Sequence, residues 1–205
     1  MDWEYSFKIC FVGDTNVGKT LLLHKLLNKV DKYLEGTTIG VDCHYSYNKL
    51  IYENNYYQTK TLFWDTAGQE RYHSIAKSYY KNVTMVCIVF NLTNRDKYKN
   101  IDKWIKLIKK TTDSRAKIVL IGNKADLKQH IFIKKYNYKY FEVSAKLGLN
   151  NLLENLLKLN LQFIIKNKYY NVHELGTKMK NNNMTTFVPL EQEMYKTNNK
   201  CCNIL

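Results

Sequence analysis

The chain contains one proline, Pro189, and no apolar run near the roughly 18 uncharged residues that a membrane-spanning helix needs. No transmembrane helix is expected. The opening residues, Met1-Asp-Trp-Glu4, hold no basic segment followed by an apolar one, so no secretory signal is expected either. Cysteine is sparse. Cys10, Cys43 and Cys87 fall singly in strand-like segments and none has a zinc-ligand spacing, which suits buried thiols in a reducing compartment. The five histidines are scattered without ligand spacing. Acidic residues are few, 18 against 32 basic ones, which leaves a net charge of +14. Such a surplus can serve nucleic acid or an anionic membrane. Here the lysines are spread among Asn and Tyr and form no single block, so a solvated surface is expected and no nucleic-acid partner.

What is present alternates. Tyr5–Val12 reads as a buried strand and Lys19–Val30 as a helix, with Leu22, Leu23, Leu26 and Val30 at helical spacing. Val41–Ile51 and Thr59–Trp64 flank the turn signal Glu53-Asn-Asn55 and read as a hairpin. Val83–Phe90 is a near-continuous apolar run, typical of a central parallel strand. Tyr98, Ile101, Trp104, Ile105 and Ile108 mark an amphipathic helix. Lys117–Ile121 and Tyr138–Val143 read as strands, and Leu149 to Ile164 as a long final helix. Alternating strands and helices argue an α/β sheet with helices on both faces. Periodicity stops near Tyr169. Residues 169–205 are expected to be a flexible tail, with four Lys against three Glu, so the positive charge belongs to the domain before it.

Gly13-x-x-x-x-Gly18-Lys19-Thr20 has the spacing of a phosphate loop between a strand and a helix. The glycines let backbone N–H groups turn around a phosphate, Lys19 reaches its outer oxygens, and the Thr20 hydroxyl suits Mg²⁺. The helix that follows points its positive end at the same anion. This loop alone does not separate a kinase or ATPase from a GTPase. Asp65-Thr-Ala-Gly68-Gln69 follows a strand. Asp65 stands where a second Mg²⁺ anchor belongs, Gly68 can offer an unobstructed N–H to a γ-phosphate, and Gln69 can orient a water. Asn123-Lys124-Ala-Asp126 follows another strand, and its Asp carboxylate can accept two N–H bonds from the guanine edge. Ser144-Ala145-Lys146 can supply a backbone N–H to the base oxygen. The three motifs in this order make the nucleotide guanine.

At these residues the chain resembles a small GTPase, and within that superfamily a Rab. Thr38-Ile-Gly-Val-Asp42 resembles the Rab switch I segment, Trp64-Asp-Thr-Ala-Gly-Gln-Glu-Arg-Tyr72 the switch II segment, and Ser78-Tyr-Tyr80 and Val89-Phe-Asn-Leu-Thr93 the stretches that follow. The resemblance spans about residues 5–168 and returns at the C-terminus. It implies a phosphate-loop small G domain over 1–168, with a six-stranded, mostly parallel sheet containing one antiparallel strand. Phosphates would be held by Thr15, Asn16, Val17, Gly18, Lys19, Thr20 and Leu21. Thr20 and Thr38 would ligate Mg²⁺, with Asp65 close by. Gln69 would position the hydrolytic water, and Asn123, Lys124, Asp126, Ser144, Ala145 and Lys146 would hold guanine.

The resemblance further implies a monomeric GTP hydrolase that switches between GTP and GDP in vesicle trafficking. An exchange factor, a GTPase-activating protein, a prenylation escort protein, a dissociation inhibitor and effectors are its implied partners. A scaffold that keeps its nucleotide and hydrolyses negligibly is the alternative. Cys202-Asn-Ile-Leu205 fits a prenylation signal loosely, and a terminal Leu favours geranylgeranyl. Cys201 could take a second prenyl group or palmitate. Anchoring to the cytoplasmic face of an endomembrane, with a cytosolic pool, is expected.

Four departures from the Rab pattern stand out. Asp31 replaces an aromatic that covers the nucleotide, with Tyr33 two positions on, so faster nucleotide release is expected. The segment between Thr38 and Asp65 is longer than usual, with the extra residues expected near Glu53–Tyr57. The stretch from Asn123 to Ser144 is shorter, leaving a helical stub within Leu127–Lys135. Thr15 and Asn16 stand where relatives often have Ser and Gly. Bulk at Thr15 could hinder an incoming arginine, and Asn16 tolerates a left-handed turn.

Overall fold

The computed structural model describes residues 3–29, 38, 40–68, 80, 82–94, 96–112, 115–127, 135–167 and 177–178. Asp31, Tyr33, Gln69, the apolar trio Ile131-Phe-Ile133, and Cys201 and Cys202 lie outside them.

Strands β1 (Tyr5–Val12), β2 (Val41–Tyr52), β3 (Asn55–Thr66), β4 (Met85–Asn91), β5 (Lys117–Asn123) and β6 (Lys139–Glu142) form one sheet in the order β2-β3-β1-β4-β5-β6. β2 runs antiparallel to β3, and every other pair along this path is parallel. Helices α1 (Lys19–Leu26), α2 (Lys97–Thr111) and α3 (Leu152–Asn167) cover the two faces. The chain is therefore the α/β, mostly parallel architecture of a small G domain.

Side chains alternate across a strand, so β1 feeds two cores. Phe7, Ile9 and Phe11 pack with Leu22 and Leu23 of α1 and with Leu156, Leu157 and Leu161 of α3. Cys10 and Val12 join Ile88 and Phe90 of β4 and Ile101, Trp104 and Ile108 of α2 on the other face. α2 buries Ile101, Trp104, Ile105 and Ile108 at helical spacing and turns Lys99, Lys103, Lys106, Lys109 and Lys110 outward, while Lys97 at its start is buried with Nζ on Leu92 O.

The hairpin turns on Glu53 and Asn54, whose φ angles of 48° and 60° are both positive, as a two-residue type I′ turn requires. Pairing then runs unbroken from Tyr52↔Asn55 to Val41↔Thr66, so both strands are longer than the periodicity predicts. α1 is shorter than predicted. Asn28 is left-handed at φ 51°, its N–H bonds to Lys25 O, and the Lys29 N–H bonds to His24 O. This double closure is a Schellman motif, and it ends the helix at Leu26, before Val30.

The helical stub expected within Leu127–Lys135 falls on residues 128–134, outside the described residues. The described part that follows is pinned to α2. Lys135 Nζ lies 2.7 Å from Asp102, and Tyr136 donates to the same carboxylate at 2.9 Å. Order also reaches past residue 168. Thr177–Lys178 forms a two-residue strand, β7, antiparallel to β1, with Tyr5↔Lys178 and Ser6↔Thr177. β4 starts opposite Ile9, so the beginning of β1 has a free edge there, and β7 takes it.

Candidate functional site

The ends of β1, β3 and β5 and the loop after β6 converge. Between β1 and α1 the chain turns through Gly13, Asn16 and Gly18, at φ 145°, 62° and 89°. Thr15 and Asn16 are exposed at its crest, and Asn16 takes the left-handed conformation its side chain tolerates. Leu21 lies in the first turn of α1 and packs partly against the core. Lys19 is buried and folds back over the loop, with Nζ donating to Gly13 O and Asp14 O, both at 3.0 Å. An ammonium has three donors, so one remains beyond these two carbonyls.

Thr20, Thr38 and Asp65 meet beside this amine. The Thr20 hydroxyl donates to Asp65 Oδ2 at 2.5 Å and stands 2.8 Å from the Thr38 hydroxyl. Asp65 is 1 % exposed, and its other oxygen, Oδ1, is buried with no hydrogen-bond partner among the described residues. Burial pushes the Asp65 carboxyl upward, against the Thr20 hydrogen bond and the Lys19 charge. Burial also pushes the Lys19 amine downward, against the charges of Asp65 and Asp14. Each group is thus biased toward its neutral form by the same desolvation. An anion over the loop and a cation at Asp65 would reverse both biases. The donors are hard oxygens, two hydroxyls and a carboxylate, which fits Mg²⁺. Among the described residues no group of three His, Cys, Asp or Glu could hold a metal, so a cation here would complete its shell with water or ligand oxygens.

Gly68 presses against the loop from the other side. A Cβ there would stand 2.4 Å from Thr15 N and 2.5 Å from the Asp14 carbonyl carbon, so any side chain would collide with backbone. Gln69 follows outside the described residues.

On the base side, Asn123 is 2 % exposed and fully engaged with the protein. Its Nδ2 donates to Val17 O at 2.8 Å, and its Oδ1 accepts from the Ala145 N–H at 2.9 Å. It braces the loop against the 144–148 turn, a role the motif spacing does not disclose. Gly18 leaves the room for this contact, since a Cβ there would lie 2.6 Å from Asn123 Nδ2. Lys124 follows in a left-handed conformation, φ 64°. Ser144 donates its hydroxyl to Asp126 Oδ1 at 2.6 Å and accepts from the N–H groups of Lys146 and Leu147. That hydroxyl is the main cause holding the Asp126 carboxyl below the usual carboxylate range. A Ser144↔Gly148 bridge closes the turn, with Lys146 exposed on it.

One contact was not predicted. The indole N–H of Trp104, on α2, donates to Asp14 Oδ1 at 2.9 Å and ties the phosphate-type loop to that helix. The available signal was a tryptophan on an apolar helix face, because a buried indole N–H needs an acceptor.

A model of the Ras family matches residues 8–162. The chain is 34 % identical over 180 residues to Ras-related protein Rab-11B of Dictyostelium discoideum, covering 82 % of this chain and 80 % of that one. It is 35 % identical over 157 residues to Ras-related protein Rab-2B of the same organism, covering 72 % and 76 %. With Ras-related protein Rab-26 of Rattus norvegicus the identity is 32 % over 160 residues, covering 72 % of this chain and 60 % of the rat protein.

Proposed function

The chain belongs to the Ras family as a Rab-like member, and on that footing we propose how its residues work as a GTP-driven switch in vesicle trafficking. It is a small GTPase and a GTP hydrolase. The observation that carries the reading is the cluster of Thr20, Thr38 and Asp65 beside the buried Lys19.

Lys19 and the backbone of the 13–20 loop hold the β and γ phosphates. Thr20 and Thr38 would hold Mg²⁺ with Asp65 close by, and the ion would supply charge neutralisation at the phosphates. Gln69 orients a water in line with the γ-phosphorus. As the water oxygen bonds to phosphorus, the bond to the bridging oxygen breaks and GDP leaves. Asp126, aimed by Ser144, accepts from the guanine edge; the Ala145 and Lys146 N–H groups, which here bond to Asn123 Oδ1 and Ser144 Oγ, would turn to or be shared with the base oxygen when guanine binds. Gly68 and Thr38 are the points where loss of the γ-phosphate is felt, and the segments around them reorganise.

Regulators and effectors in general follow from the family. The finer proposal is an exchange factor, an activating protein, an escort protein and a dissociation inhibitor. The domain is taken as 1–168 and the tail as 169–205, with Cys201 and Cys202 as lipid acceptors on the cytoplasmic face of an endomembrane. Two chains give stable anchoring where one is marginal. No described helix is long and apolar enough to cross a membrane.

The test begins with the nucleotide released on denaturing protein purified in Mg²⁺. Near-stoichiometric GDP, or a GDP and GTP mixture, is expected. Single-turnover hydrolysis then compares wild type with Gln69→Leu, which is expected to be slower by about tenfold or more. A wild type that retains GTP without turning it over would favour the scaffold.

A further inference from the structure

Among the described residues six large apolar side chains are exposed, and four of them, Tyr45, Tyr47, Ile51 and Tyr56, share one face of the β2–β3 hairpin. The register sets Tyr47 opposite Lys60 and Ile51 opposite Tyr56. Trp3 extends the patch, with its ring centroid 5.8 Å from that of Tyr47. Lysine ammoniums lie over these rings, Lys60 Nζ 4.6 Å from the Trp3 centroid and Lys49 Nζ 4.2 Å from that of Tyr56. Lys8 stands on the same face of β1, over Trp64. By strand alternation, the positions of this face in β1, β2 and β3 carry lysines and no carboxylate.

Scattered exposed apolar residues need no explanation, whereas a contiguous patch with a polar rim marks a contact surface. The rim here is mostly lysine, with one carboxylate, Glu4, whose Oε1 accepts from the Gln58 N–H at 3.3 Å. This one pairs aromatic rings with ammonium groups over their faces. That is the composition of the water–lipid boundary, where rings sit at headgroup level and lysine stems reach past them to phosphate. Its position agrees. The hairpin turn lies at the end of the sheet opposite Asp65, and β7 joins β1 at Tyr5, level with Thr59. Lys178 is thus two strands, roughly 10 Å, from β3. Residues 179–200 lead from there to Cys201.

We propose that the far half of this face, Trp3, Tyr47, Lys49, Ile51, Tyr56 and Lys60, docks on an anionic lipid bilayer. It rests on the switch reading only for the lipidated tail that brings the bilayer near. The nucleotide site, at the other end of the strands, stays open to regulators.

The test uses the full chain without prenyl groups, purified with its nucleotide and mixed with phosphatidylcholine vesicles with or without about 30 % phosphatidylserine. Sedimentation reports binding, and quenching by brominated lipid reports Trp3, since Trp64 and Trp104 are buried. Binding to the anionic vesicles with quenching is expected, and little to the neutral ones. Each lysine at such a surface contributes about a factor of five, so Lys49→Ala/Lys60→Ala should bind roughly 20-fold more weakly. Lys109→Ala/Lys110→Ala removes the same charge from exposed positions on α2 and should change binding less than about twofold. Tyr56→Ser, at an exposed position, should lower quenching. Equal losses in both double variants would mean that overall charge binds and would overturn the proposal. So would binding of polyuridylate or polyglutamate through these residues in place of vesicles. Nucleotide retained without vesicle binding overturns this proposal alone. Vesicle binding without nucleotide supports it and counts against the switch.

Discussion

Asn123 donates its side-chain amide to the carbonyl oxygen of Val17 at 2.8 Å, across 106 residues of sequence. The same amide accepts from Ala145 N–H. One buried side chain therefore joins the loop beside Lys19 to the turn beside Asp126. Asn123→Ala leaves a buried carbonyl and a buried N–H without partners, at about 1–3 kcal/mol for each buried group. Release of a fluorescent GDP analogue should speed by about tenfold or more, with a lowered melting temperature. An unchanged release rate would mean that the two loops hold each other without it.

Ser144 governs how Asp126 responds to acid. The hydroxyl bond lowers the Asp126 carboxyl, so the charged form persists as pH falls and is lost only below the ordinary range. Ser144→Ala removes the main cause, and the carboxyl returns upward toward the ordinary value of about 3.9. Nucleotide release, followed from about pH 6 down to 4, should therefore accelerate at higher pH in the variant than in the wild type. Coincident profiles would remove Asp126 from the base contact.

Gly68→Ala forces a methyl into the Asp14–Thr15 backbone. Overpacking of this kind costs about 1–3 kcal/mol, and here the loop must move rather than a flexible side chain. The variant should melt earlier and bind the GTP analogue more weakly than GDP, measured by competition. Equal losses for both nucleotides would place the strain away from the γ-phosphate.

The cysteines should separate by reactivity. Burial pushes the Cys10 thiol up to about 12, and Cys87 higher still, while Cys43 is half-buried on β2. The thiolate is the reactive form. In a Cys201→Ser/Cys202→Ser background, maleimide at pH 8 should modify Cys43 under native conditions and reach the other two only on unfolding, as mass spectrometry would record.

Much of this architecture can be read from local pattern. The apolar run of β4, and those of β1 from Ile9 and of β5 from Val119, are buried on both faces, and the signal at Glu53-Asn-Asn55 marks a real turn. Periodicity misplaced the end of α1, because Val30 continues the leucine spacing while Asn28 breaks the backbone with a conformation that carries no hydrophobic signature. The hairpin strands run past their sequence signal for a related reason. Asn55, Tyr56 and Gln58, which pair beside the turn, are exposed and add no buried stripe.

The site was legible as motifs and illegible as wiring. Spacing marks Asn123 without revealing that both ends of its amide are spent on the protein. The Trp104–Asp14 bond joins residues 90 positions apart, and nothing local to either names the other. The pairing of Thr177–Lys178 with β1 depends on where β4 begins, a matter of register between distant strands.

The brace from Val17 through Asn123 to Ala145 also sets a schedule for synthesis. Domains generally fold as units during synthesis. The nascent chain presents Lys19 and Thr20 early, yet the turn that closes on Asn123 is encoded by residues 144–148. A chain that stops before that turn lacks the partner that joins the loop to the base side. Truncated products ending before Ala145 would then compete neither for nucleotide nor for the factors that recognise the loaded state.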